Sequence, residues 1–75
     1  MNENITKEQM FFAVFCIENV ARQLNLTGDA VYKMLVEDSG ILDEYIISYY
    51  DTLHTQGKEY ITDDIIEYMR EKGVL

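Results

Sequence analysis

Cys16 and His54 are the only cysteine and the only histidine in a chain of 75 residues. That pairing removes the usual staples of a small protein. A disulfide within the chain needs two cysteines, and a structural zinc site wants four ligands, mostly Cys or His. Below roughly 70–80 residues a single core supplies only about 3–5 kcal/mol. The chain must therefore rely on close packing of its own elements, on association with another chain, or on both.

Composition supports a folded domain. The apolar fraction is 48% and there is no proline, a profile opposite to that of disordered segments. The length fits one domain and leaves no room for a separate cofactor-binding fold, so no cofactor and no metal are expected. Six basic and 14 acidic side chains give a net charge of −8. Nucleic-acid binding rests on Lys and Arg displacing counterions from phosphates, so nucleic acid is not an expected partner. The longest apolar run, Met10 to Ile17, has eight residues, against the ~20 that cross a bilayer. No basic leader precedes it. With one cysteine, a start at Met1 and no visible leader, the sequence predicts a complete cytoplasmic product that does not enter a membrane.

Apolar spacing predicts an all-α fold, a compact bundle of four short helices spanning 1–75 as one domain, with an ordered core of about 6–72. The first helix is expected from about Thr6 to Leu24, opened by a Thr6–Gln9 capping box. At 100° per residue, Met10, Ala13, Val14, Ile17, Val20, Ala21 and Leu24 share one face, the predicted core stripe. Phe11, Phe12 and Phe15 fall on the other side. Thr27 caps a second helix to about Asp38, with Ala30, Val31, Met34 and Leu35 inward. Gly40 suits a left-handed cap. A third helix is expected from Leu42 to Leu53 or His54, with Leu42, Tyr45, Ile46, Tyr49 and Leu53 as core and Ile47, Tyr50 and His54 along its edge. Thr62, followed by Asp63 and Asp64, predicts the start of a fourth helix, which Gly73 ends.

The candidate interaction residues are Phe11, Phe12, Phe15, Ile47, Tyr50 and His54. Three phenylalanines off the main stripe suit an interface, since each buries roughly 150–250 Å². They equally suit a central helix covered on several sides. Asp51 and His54, three residues apart, resemble an acid–histidine pair. No nucleophile or phosphate-cradling glycine loop accompanies them, and a histidine ending a helix also serves to bond carbonyls. No catalytic residue is assigned and no enzyme is expected. Cys16 sits in an apolar stretch and reads as a packed thiol. The six tyrosines suit a core rim, with Tyr32 and Tyr50 the expected exposed ones. Asp63 and Asp64 point about 100° apart on a helix, unlike a calcium loop. Across 27–57, six acids (Asp29, Glu37, Asp38, Asp43, Glu44 and Asp51) face Lys33 alone, a net −5. That reads as a solvated face or as steering toward a basic partner.

Ile41-Leu42-Asp43-Glu44-Tyr45-Ile46-Ile47, then Tyr50 through Leu53-His54-Thr55-Gln56-Gly57, Tyr60-Ile61 and Asp64-Ile65 resemble a family of small bacterial proteins, domain of unknown function 3791. Phe15-Cys16-Ile17-Glu18 and Leu26-Thr27-Gly28 are similar too, so the resemblance covers about residues 8 to 72. Its specific part is the Leu-His-Thr-x-Gly element. The resemblance implies no activity and no catalytic residues. It implies genes lying beside others of unknown function, some ADP-ribosyltransferase-like, and hence a role in binding a partner. The expected function is a protein-interaction module, an accessory or antitoxin-like partner of a neighbouring gene product. Homo-oligomerisation would help a thin core. The alternative is a DNA-binding regulator, because the second and third helices and their Ser39-Gly40 turn resemble a helix-turn-helix.

Overall fold

Thr6 fixes where the first helix starts. In the computed structural model, which describes residues 5–75, Thr6 Oγ1 accepts from the Gln9 backbone N–H at 3.1 Å. Gln9 Oε1 accepts from the Thr6 N–H at 3.0 Å. The reciprocal pair satisfies two donors that a helix start otherwise leaves open. Helix α1 (Lys7–Leu24) follows, and Asn25 closes it in the left-handed region at φ 58°. Thr27 then accepts from the Ala30 N–H and opens α2 (Gly28–Tyr32). The expected single domain also takes in residues 1–4, which lie outside the described residues.

The predicted second helix continues as a π-helical stretch, π1 (Lys33–Glu37). After the Ser39-Gly40 turn, with Gly40 at φ 74°, a second π-helical stretch follows, π2 (Leu42–Ile47). Both wide turns are sealed by a serine at their ends. Ser39 Oγ donates to the Met34 carbonyl at 2.7 Å, and Ser48 Oγ donates to the Asp43 carbonyl at 3.0 Å. Each hydroxyl reaches five residues back, the spacing of a π-helix. The predicted third helix is therefore not continuous. It breaks at Ser48-Tyr49, where Tyr49 takes φ −104° and ψ 22°, and resumes as α3 (Tyr50–Leu53).

The last helix, α4 (Lys58–Glu71), starts four residues before Thr62 and takes Gly57 as its cap. The expectation of a start at Thr62 is corrected. Thr62 is a buried mid-helix residue, and its hydroxyl donates to the Lys58 carbonyl one turn back at 2.8 Å. Threonine followed by two aspartates imitates a helix start, but Ile61, Ile65, Ile66 and Met69 must all reach the core. That i, i+4, i+5, i+8 pattern requires the helix to be under way before Ile61.

The expected core stripe of α1 is also corrected at its N-terminal half. Phe12, Ala13, Cys16, Val20 and Ala21 are buried, whereas Met10 and Val14 are about half exposed. α1 packs against α4, α2 and π2, so its buried arc is set by several neighbours. Phe12 and Cys16 take the inward positions, and Met10 and Val14 are left at the edge. Leu35, Ile41, Ile46, Ile65 and Met69 join Phe12 and Cys16 in one continuous cluster. The radius of gyration is 11.2 Å, matching the ~11 Å of a compact chain of this length. The fold is all-helical, a small bundle, with no strand among the described residues.

Two substitutions separate the true cap from its imitation. Thr6→Ala should cost about 1 kcal/mol in urea unfolding, the usual loss of an N-cap. Thr62→Val should leave the far-UV helical signal intact, because the helix does not begin there.

Candidate functional site

The six candidate residues separate into three environments. Phe12, Phe15, Tyr50 and His54 come together as an aromatic ladder between α1 and α3. Phe12 and Phe15 stack with ring centres 6.1 Å apart, and Tyr50 meets Phe12 edge-on at 5.3 Å. His54 lies flat on Tyr50 at 4.3 Å. Its Nδ1 is 2.6 Å from the Tyr50 carbonyl. A carbonyl only accepts, so Nδ1 carries a proton and donates it. His54 thus closes the short α3 onto its own first turn. Among the described residues it makes no ion pair with Asp51. Phe12 is buried and Phe15 half-buried, while Phe11 stands 66% exposed. Ile47 lies elsewhere, in a groove.

That groove is the site with the clearest chemistry. It has a volume of about 220 Å³ and runs between α1, α2 and π2. Ala13 and Leu42 are buried at its floor. Ile17 and Ile47 form its walls, and Met10, Val14 and Tyr32 its rim, each rim residue 43–49% exposed. Its lining side chains are apolar save for the Tyr32 hydroxyl. Phe11 follows Met10 and lies one turn before Val14, so it extends the apolar surface past the rim. The groove exists because the α1 stripe that reads as core, Met10–Val14–Ile17, is left uncovered by the Phe12-inward rotation. Two hollows between α1 and α4 are larger, about 350 and 340 Å³. Both are lined mainly by polar residues, and in the second Gln23 Nε2 donates to Asp63 Oδ1 at 3.0 Å.

Charges sit around the groove rather than in it. Exposed Glu18 lies one turn after Val14, Asp29 one turn before Tyr32, and Asp43 one turn before Ile47. Lys7, one turn before Met10, is the nearby base in sequence that makes no ion pair among the described residues. Lys33 is already paired with Asp38 at 3.1 Å. The hydrogen bond to Asp38 raises the Lys33 ammonium above its ordinary range. On the hairpin that resembles a helix-turn-helix, the second helix turns Asp43 and Glu44 to solvent, charges that would meet phosphates unfavourably.

The other tyrosines divide by exposure. Tyr32 is exposed as expected, but Tyr50 is half-buried in the ladder, and Tyr49 and Tyr60 are the most exposed at 56% and 58%. Tyr49 leaves the predicted core because the break at Ser48-Tyr49 swings it out. Cys16 is 1% exposed, and burial pushes its thiol up to about 12. Burial first, and then donation of its hydroxyl to Asp64, hold the Tyr45 phenol well above the usual tyrosine range. Among the described residues no group of three or more His, Cys, Asp or Glu is arranged to hold a metal ion. No described helix is long and apolar enough to cross a membrane.

Residues 11–72 match the family described as "Protein of unknown function (DUF3791)". The chain belongs to that family. The match takes in the aromatic ladder and the whole of α4, while Met10 on the groove rim lies just before it. No curated protein and no solved structure matches the chain.

Two measurements test these environments. The Cys16 thiol should resist a disulfide reagent at pH 8 in the folded protein and react at once in denaturant. A raised folded-state pKa means that the native chain holds its proton after the unfolded chain has lost it. The stability contributed by Cys16 is therefore intact below its ordinary value of 9.0, and is lost as the pH rises through about 12. Tyr45 acts in the same direction, starting from its ordinary 10.0. Urea midpoints should fall from pH 9 upward, and Tyr45→Phe should make that fall shallower.

Proposed function

We propose that this protein is a protein-interaction module whose apolar groove receives an amphipathic helix with basic flanks from another chain. The observation that carries the reading is the groove itself. Ile17, Ile47, Met10 and Val14 form an apolar trough, and Phe11 stands 66% exposed beside it. Fully burying a side chain such as Val, Met or Phe stabilises by about 1.5–3 kcal/mol. A partner that covers the half-exposed rim recovers part of that at several positions. Grooves of this kind read a helix through anchors at i, i+3, i+4 and i+7.

Charge selects the occupant. Glu18, Asp29 and Asp43 stand one turn from lining residues on three separate elements, against Lys7. A second copy of the chain would bring another net −8 to this rim, whereas basic flanks are attracted to it and speed encounter. An accessory or antitoxin-like role, masking a basic surface on a neighbouring gene product, is the form of this reading that the family resemblance implies. The chain supplies binding in this reading and no catalysis.

Three labelled helical peptides with one leucine stripe, flanked by Lys and Arg, by Gln, or by Glu, form the test. Fluorescence anisotropy should show the basic peptide binding tightest, the acidic one weakest, and the difference shrinking as salt rises. Val14→Asp should abolish binding and leave the circular-dichroism spectrum unchanged. Equal binding of all three peptides would remove the electrostatic part. No binding by any, or a dimer in sedimentation equilibrium that Val14→Asp dissolves, would overturn the reading in favour of no docking or of self-association.

A further inference from the structure

The other flank of π2 carries a second, unrelated surface. Tyr45 stacks on Tyr68 of α4 with ring centres 4.2 Å apart and meets Tyr49 at 5.3 Å. Its hydroxyl donates to Asp64, which fixes the row to α4. One end of the row is occupied by a cation of the chain itself. Lys72 Nζ lies 5.8 Å over the centre of the Tyr68 ring and 3.0 Å from Glu44 Oε1. The hydrogen bond to Glu44 raises this ammonium above its ordinary range, as expected for a cation seated beside a carboxylate.

An aromatic face with a carboxylate at its edge is recognition chemistry for a cation. Lys72 supplies the example from within the chain, and it is held loosely. The side chains of Lys72 and Glu44 are 41% and 43% exposed, and ion pairs at such positions contribute little. A guanidinium suits the same place better. It is planar, weakly hydrated, stacks on a ring and forks onto a carboxylate, none of which an ammonium does as well. Tyr49 and Tyr60 are both more than half exposed, and Tyr60 stands one turn before Asp64. Tyr49 extends the row past Tyr45, at the end away from Lys72.

We propose that Tyr68 and Glu44, backed by Tyr45, form a recognition surface for an arginine side chain of a partner protein, which displaces the chain's own Lys72. The surface stands independently of the groove, because Leu42 and Ile47 serve the groove from one flank of π2 and Tyr45 faces α4 from the other. Lys72 acts as a tethered competitor. Its removal strengthens arginine binding, the opposite of what losing a merely structural ion pair would do.

The test titrates the full chain with N-acetyl-arginine amide and with its neutral isostere, N-acetyl-citrulline amide, following tyrosine ring signals by NMR. The Tyr68 and Tyr45 rings should shift with the arginine compound and not with the citrulline compound. Tyr32, on the groove rim, should stay still. Lys72→Ala should tighten binding roughly two- to fivefold, the weight of an exposed ion pair, with thermal unfolding little changed. Glu44→Gln should weaken it. Equal shifts with citrulline, equal shifts at Tyr32, or binding unchanged or weakened in Lys72→Ala would each overturn the proposal.

Discussion

The fold depends on one helix having to face several neighbours at once. With one cysteine and one histidine, no disulfide can form within the chain, so side-chain burial carries most of the stabilisation, and it is organised around α1. Phe12, Cys16 and Val20 turn inward and join Leu35, Ile46, Ile65 and Met69 in one cluster. A helix of 18 residues cannot be covered on every side by so short a chain. Some apolar surface stays uncovered, and it falls where α2 and π2 diverge from α1. The groove is the remainder of that packing problem.

π2 links the two candidate surfaces. Its wide turns send Leu42 and Ile47 toward α1 and Tyr45 toward α4, while Ile46 is fully buried between them. A regular α-helix spreads side chains at 100° intervals, and the π stretch changes that angle enough to serve both flanks from six residues. Binding at either surface would therefore bear on the same short element. Ser48 closes it through the Asp43 carbonyl, and the chain then turns at Tyr49.

Much of the fold was legible in the residues. The Thr6–Gln9 box, the Thr27 cap and Gly40 act through local hydrogen bonds and local dihedral preference, so sequence suffices to read them. The errors arose where tertiary packing decided between local options. Thr62 has the chemistry of a cap and the environment of a core residue, and the burial of Ile61 and Ile65 settled which role it took. Met10 and Val14 have the spacing of a core stripe, yet Phe12 and Cys16 took the inward arc. The π stretches were invisible because their signature, a serine hydroxyl reaching five residues back, is indistinguishable from an ordinary polar helix position until the path of the chain is known. Of the site, Ile47 and the Phe12–Phe15–Tyr50–His54 grouping could be picked out by residue type. The pairing of Glu44 with Lys72 across elements could not, since nothing local connects residues 28 apart.

A π turn holds more residues than an α turn over nearly the same rise. The hairpin from Lys33 to Ile47 contains two of them, one on each side of Gly40. Each stretch therefore stores one residue of slack that the fold does not spend on length. Deleting a single residue from either would let that stretch revert to α-helical winding with both of its ends kept in place. In most of this small bundle chain length and geometry are tied together, but in this hairpin they are partly uncoupled, and it is here that a residue can be lost with the ends held in place, at the cost of the side-chain directions that let π2 face both flanks.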